Sequence, residues 1–161
     1  MDDANPNRAM TNFQRIGAIS NTHVGVDFEA LAVLSLEAAG IKVHPRFAVP
    51  VGIGQRKKGH TFDFGSDDPP VLVECKCHRW TAGGNAPSAK LTVWNEAMYY
   101  FSLAPVKYRR IFFVLRDYST RRRQTLAEHY LTRYSHLVPD GVEIWEFDEI
   151  EKSCRILTAA K

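Results

Sequence analysis

The sequence predicts an α/β domain built on a central mixed sheet of four or five strands, in the order helix, three-strand meander, helix, strand, helix, strand, with helices on both faces. Three observations carry that reading. Residues 41–77 hold three strand-like stretches separated only by short turns, which suits antiparallel neighbours. "RRIFFVLRD" has the unbroken apolar run of a strand covered on both faces, as central parallel strands are. The last strand–helix–strand passage needs a crossover connection, normally right-handed.

The elements follow in order. Residues 1–20 read as a flexible polar arm, and residues 21–161 as a single domain. "NTHVGVDFEALAVLSLEAAG" reads as the first helix, with Asn21 or Thr22 as cap, Asp27 and Glu29 early, and Gly40 as its stop. "IKVHPRFAVPVGI" is a strand at an edge or with a bulge, because Pro45 and Pro50 cannot donate to a ladder. The turn "GQRKKG" leads to the strand "HTFDFG", and "SDDPP" turns the chain into the strand "VLVECKC". Ser88 is placed to cap the helix "AKLTVWNEAMYYFSL", and Pro105 ends that segment. Ser119 or Thr120 is the expected cap of a third helix, "RRRQTLAEHYLTRYSHL", before a final strand "VEIWEFDE".

Composition narrows the function classes. A chain of 161 residues, 45% apolar and 24% charged, is long enough for a sizeable core and ordinary for a globular protein. No apolar run approaches the ~18 residues of a membrane span, and the opening residues lack a signal-peptide core. Cys75, Cys77 and Cys154 are an odd set without a disulfide framework, which suits a reducing cytoplasm. Cys75-x-Cys77-His78 reads as buried thiols rather than zinc, since no second ligand pair follows at finger spacing. A net charge of +3 says little about nucleic acid, but basic residues cluster at 55–58, 107–110 and 121–123. "TAGGNAPS" lacks the G-K-[ST] ending of a phosphate-binding P-loop and reads as a mobile loop.

The chemistry concentrates in "VLVECKCHRW". Strand alternation puts Leu72, Glu74, Lys76 and His78 on one face and Val71, Val73, Cys75 and Cys77 on the other. In "HTFDFG" the same alternation puts Phe62 and Phe64 together, opposite Thr61 and Asp63. A turn centred on Asp68-Pro69 sets Asp63 across from Glu74, with Cβ atoms roughly 5 Å apart. Two carboxylates that close repel each other, and a hard divalent cation such as Mg²⁺ or Mn²⁺ relieves the repulsion, with the Cys75 carbonyl as a further oxygen ligand. Glu29 points with Ala32, Val33 and Leu36, toward the sheet, and is the third candidate acid. Lys76, two residues beyond Glu74, supplies the positive charge that metal-assisted phosphodiester hydrolysis needs.

Taken together, "GVDFEALAVLSLEAAG", "FDF" and "VLVECK" resemble the PD-(D/E)XK nuclease superfamily, whose fold is restriction-endonuclease-like. The family's order of helix, three strands, helix and strand is similar to residues 22–116, about three fifths of the chain. Phe62 stands where the family name has proline, a position that varies. The resemblance implies that Asp63 and Glu74 bind metal, that Glu29 joins them, and that Lys76 assists the attacking water. It implies a Mg²⁺- or Mn²⁺-dependent endonuclease hydrolysing DNA phosphodiester bonds, restriction-like or structure-specific. Arg56, Lys57, Lys58, Arg79 and Lys90 are the expected phosphate contacts. A homodimer is expected, because one such site cuts one strand. Specificity falls to loops, substrate structure or a partner subunit. The alternative is a catalytically inactive module of the same fold that binds nucleic acid or a protein partner.

Overall fold

The computed structural model describes residue 25 and residues 27–157. Asn21 and Thr22, the expected caps, lie outside these residues. Helix α1 (residues 27–38) buries Phe28, Ala32 and Leu36, spaced four apart on one face. It ends where Gly40 takes a φ of 75° and Ile41 N–H donates to Leu36 O at 2.9 Å. That is the helix stop a glycine at this position permits.

Six strands form one mixed sheet in the order β1-β2-β3-β4-β7-β8: β1 (His44–Ile53), β2 (Arg56–Asp67), β3 (Pro70–Lys76), β4 (Arg109–Leu115), β7 (Val142–Asp148) and β8 (Ser153–Leu157). β1, β2 and β3 are the antiparallel meander, and β3, β4 and β7 run parallel. A separate two-stranded hairpin joins β5 (Tyr118–Ser119) to β6 (Gln124–Thr125). The edge position of β1 agrees with its two prolines. β8 is a strand the sequence reading lacks, and it covers the outer side of β7. The "VEIWEFDE" strand is therefore interior.

Helices lie on both faces. α1 packs with Phe64, Val71, Val73, Cys75, Ile111 and Phe113. On the other face α2 (Ser88–Leu103) and α3 (Leu126–Tyr134) pack with Phe62, Leu72, Phe112, Val114 and Ile144. Ser88 begins α2 but makes no capping bond; Pro87 holds the cap position. α3 starts later than expected, because residues 118–125 form the β5–β6 hairpin. Its cap is Thr125, in a reciprocal capping box with Glu128. Trp94, Met98 and Phe101 of the aromatic stretch are core, whereas Tyr99 is exposed. No helix among the described residues is long and apolar enough to cross a membrane.

Candidate active site

The site begins where β2 leaves β3. Their ladder runs from Asp67↔Pro70 to Phe64↔Val73 and stops, so Asp63 and Glu74 are the next positions across the strands. On its other side Asp63 faces Arg46, which has a φ of 54° and drops out of the β1–β2 ladder. Both neighbours thus release β2 at Asp63. The consequence corrects the simple alternation: Phe62 lies in the α2-side core and Phe64 in the α1-side core. The kink also draws Phe47 across Gly65, where a Cβ would stand 2.5 Å from the Phe47 ring. Only glycine tolerates that approach.

At the kink the Asp63 carboxylate replaces the lost ladder bond, and Cys75 N–H donates to Asp63 Oδ2 at 2.7 Å. The N–H and C=O of one strand residue point to the same edge, so the Cys75 carbonyl faces the same gap. Glu74 and Lys76 lie on the α2 face, with Lys76 Nζ 2.6 Å from Glu74 Oε1 and both side chains mostly buried. Glu29 is half-buried on α1, where the charges of Asp63 and Lys76 act on it.

The charges of these four residues act on one another. Burial raises Glu29 above the ordinary carboxylate value, and the Asp63 charge adds to the rise while Lys76 opposes it. Burial likewise raises Glu74, against the pull of Lys76, with Asp63 adding to the rise. Burial lowers Lys76, but the carboxylates of Glu74 and Asp63 outweigh it, and the ammonium ends above its ordinary value. Burial pushes the Cys75 thiol well up, helped by Asp63, Glu29 and Glu74, so it stays protonated. Acids outnumber bases here, and part of the acidity is suppressed.

Asp63, Glu74 and the Cys75 carbonyl are hard oxygen donors of the kind Mg²⁺ and Mn²⁺ take, with water completing the shell. No group of three His, Cys, Asp or Glu side chains close enough to hold a metal ion occurs among the described residues. Glu29 lies within reach of the Asp63 charge. The Cys75-x-Cys77-His78 set does not assemble: the two thiols lie against the α1-side core, and His78 bonds Trp94 of α2.

No protein-family model, curated protein or solved structure matches this chain. Function therefore rests on the site itself. Its basic surroundings have definite places. β2 is antiparallel to β3, so its first residues run past the end of β3 and carry Arg56, Lys57 and Lys58 to the far end of the β1–β2 hairpin, roughly 20 Å along the strand from Asp63. Arg56 and Lys58 are exposed, while Lys57 Nζ donates to Gly52 O at 2.7 Å within the hairpin. Lys90 is exposed in the first turn of α2. Arg79 is occupied: it pairs with Glu149 at 2.5 Å and with Asp117 at 3.6 Å. The 81–88 loop is tied down rather than free, with Gly83 and Gly84 carbonyls accepting from Arg121 and Arg122 at 3.2 and 3.0 Å.

Two histidines belong to the site that the strand reading leaves out as functional groups. His60 stacks on Tyr100, centroids 3.6 Å apart, and burial lowers its pKa against the charges of Glu96 and Asp63. His78 accepts a hydrogen bond from Trp94. Their partners lie on α2, many residues away in sequence, so spacing within β2 and β3 carries no sign of them. Asn95, by contrast, accepts from Tyr130 and ties α2 to α3.

Proposed function

We propose that this chain is a metal-dependent nuclease of the PD-(D/E)XK, restriction-endonuclease-like kind that hydrolyses DNA phosphodiester bonds. One observation carries the reading: Asp63, Glu74 and Lys76 lie where β2 and β3 part, with Lys76 paired to Glu74, and the Asp63 and Lys76 charges reach Glu29 on a separate helix.

Asp63 and Glu74, with the Cys75 carbonyl, are the residues that would hold Mg²⁺ or Mn²⁺. A bound divalent cation supplies Lewis-acid polarisation and a water of lowered pKa. The chain's own residues do the rest. Lys76 keeps its proton and presents positive charge to the phosphorus-centred transition state as negative charge develops there. Asp63 stays fixed by the Cys75 N–H, which spares the site reorganisation. Glu29 receives or orients a proton at the attacking water, a role suited to a carboxyl held above its usual value. Arg56, Lys58 and Lys90 meet the phosphates on either side of the site. The proposed assembly is a homodimer, and β8 is one of the two edge strands of the sheet. The test is incubation with supercoiled, linear, single-stranded and branched DNA in Mg²⁺, Mn²⁺ or EDTA. Cleavage of at least one form with metal and none in EDTA is the expected result. No cleavage of any form by a protein that still binds DNA would favour a non-catalytic module.

A further inference from the structure

We infer that His78, Lys90 and Lys76 form a phosphate-binding subsite, in which the His78 Nε2–H is a neutral donor to a non-bridging oxygen of a nucleic-acid strand. The inference rests on the nuclease reading and names which residues hold the substrate on one side of it.

Trp94 is 0% exposed in the α2-side core. A buried indole N–H has to find an acceptor. Trp94 Nε1–H donates to His78 Nδ1 at 2.8 Å, with the rings nearly parallel. A neutral imidazole that accepts at one nitrogen carries its proton on the other, so this bond sets the Nε2–H tautomer. Nε2 is the end of the half-buried ring away from the Trp94 bond.

The charges that act most on that imidazole are ammonium groups, of which Lys76 is itself paired with Glu74 at 2.6 Å. Lys90 precedes Trp94 by four residues and so lies one turn away on the same face of α2. Lys76 lies two residues before His78 on the chain. Burial, then Lys90, then Lys76 pull its pKa down to about 4. The group is therefore a donor without charge across the working pH range. Capping Trp94 accounts for Nδ1 alone and leaves the Nε2–H as a donor on which the charges of Lys90 and Lys76 act. Asp63 and Glu74 act on Lys76, whereas Lys90 and Lys76 act on His78. A phosphodiester strand, with anionic oxygens along its length, matches the second group.

Nitrogen-15 NMR of the full chain tests this without any turnover. His78 should show the Nε2–H tautomer with no titration between about pH 5 and about pH 8. A short oligothymidylate added in EDTA should shift its Nε2 resonance. His78→Phe should bind that oligonucleotide about tenfold to a hundredfold more weakly, as loss of a hydrogen bond to a charged group does. His78→Gln, able to accept from Trp94 and still donate, should stay within a few-fold of wild type, and Lys90→Ala should weaken binding with the fold intact. A proton on Nδ1, or titration near the ordinary histidine value, would overturn the subsite. Binding that leaves His78 unmoved would overturn the subsite alone. A wild-type chain that binds no oligonucleotide, duplex or single-stranded, would overturn the nuclease reading together with it.

Discussion

Glu74 and Glu146 lie on the same face of the sheet, and each meets a cationic side chain at 2.6 Å, Lys76 and Arg155 respectively. Lys76 and Glu146 even share a row, through Val114 between them. The two regions nevertheless handle charge in opposite ways. Glu146 is 0% exposed, and the Arg155 fork reaches both it and Glu128, the latter at 2.9 Å. Glu128 also accepts from Thr125 N–H at 2.7 Å. Burial would raise Glu128, but that N–H and Arg155 outweigh it and hold the carboxyl below its ordinary value. The result is a fixed chain of bonds from β7 through β8 to the cap of α3. At the other end of the row, three acids share one lysine, and two of them are held above their ordinary values. An arginine fork locks geometry, whereas an ammonium on a flexible stem can change partner. Charge that serves the fold is held by a fixed donor, although Glu146 Oε1 itself keeps no partner; charge that serves a substrate shares one flexible ammonium.

Substitutions separate the two regions sharply. The largest expected effect is on catalysis at the under-compensated end. Asp63→Asn and Glu74→Gln should each stop cleavage. Mn²⁺ at about a hundred times its Kd should stabilise wild type by about 2.7 kcal/mol, and thermal melting should show no such shift in Asp63→Asn. An equal shift in both proteins would remove Asp63 from the metal site.

Arg155→Ala addresses the other end. It strands a fully buried Glu146, so the fold should lose about 3 kcal/mol by denaturant unfolding, while the cleavage rate per folded molecule stays unchanged. A lost rate with unaltered stability would mean that Arg155 serves the reaction and not the fold.

The pH dependence of Glu29 gives a smaller effect with a definite sign. Its folded pKa lies above its unfolded value near 4.5, so the folded state binds the proton more tightly. Stability must then fall as pH rises from the unfolded value through the folded one, because the unfolded state holds fewer protons in that window. Glu29→Gln removes the titration. The stability difference between wild type and this variant should shift against wild type as pH rises from about 4.5, and be constant below it. A difference independent of pH would mean that Glu29 is an exposed first-turn acid.

The smallest effect lies at the β1–β2 hairpin. Each of Arg56 and Lys58 that meets a phosphate should, when replaced by serine, lower the salt slope of DNA binding by about 0.9 on a logarithmic scale. An unchanged slope would place the DNA elsewhere.

Much of this was legible in the chain because it is local. The Asp68–Pro69 turn and strand alternation bring Asp63 and Glu74 into register, and the α1 spacing turns Glu29 inward with Leu36. The kink at Asp63 was not legible, since it depends on Arg46 and on the approach of Phe47 to Gly65, both on another strand. β8 escaped because "SCRIL" is short and carries a charge. The start of α3 was misplaced although Thr125-x-x-Glu128 is a readable capping box; the run Arg121–Arg123 drew the helix too early, where the chain turns through a hairpin. His60 and His78 acquire meaning only once α2 lies across them.

The central claim is that Lys76 acts on the substrate rather than merely neutralising Glu74. The most direct test compares cleavage by wild type, Lys76→Ala and Arg155→Ala with Mn²⁺, on whichever DNA form wild type cleaves, with EDTA as control and DNA affinity measured alongside. The account predicts that Lys76→Ala binds DNA nearly as well as wild type but cleaves about 10²–10³ times more slowly, and that Arg155→Ala cleaves at the wild-type rate. Cleavage by Lys76→Ala as fast as wild type would contradict it, and would leave the lysine as no more than a strand-end counter-ion.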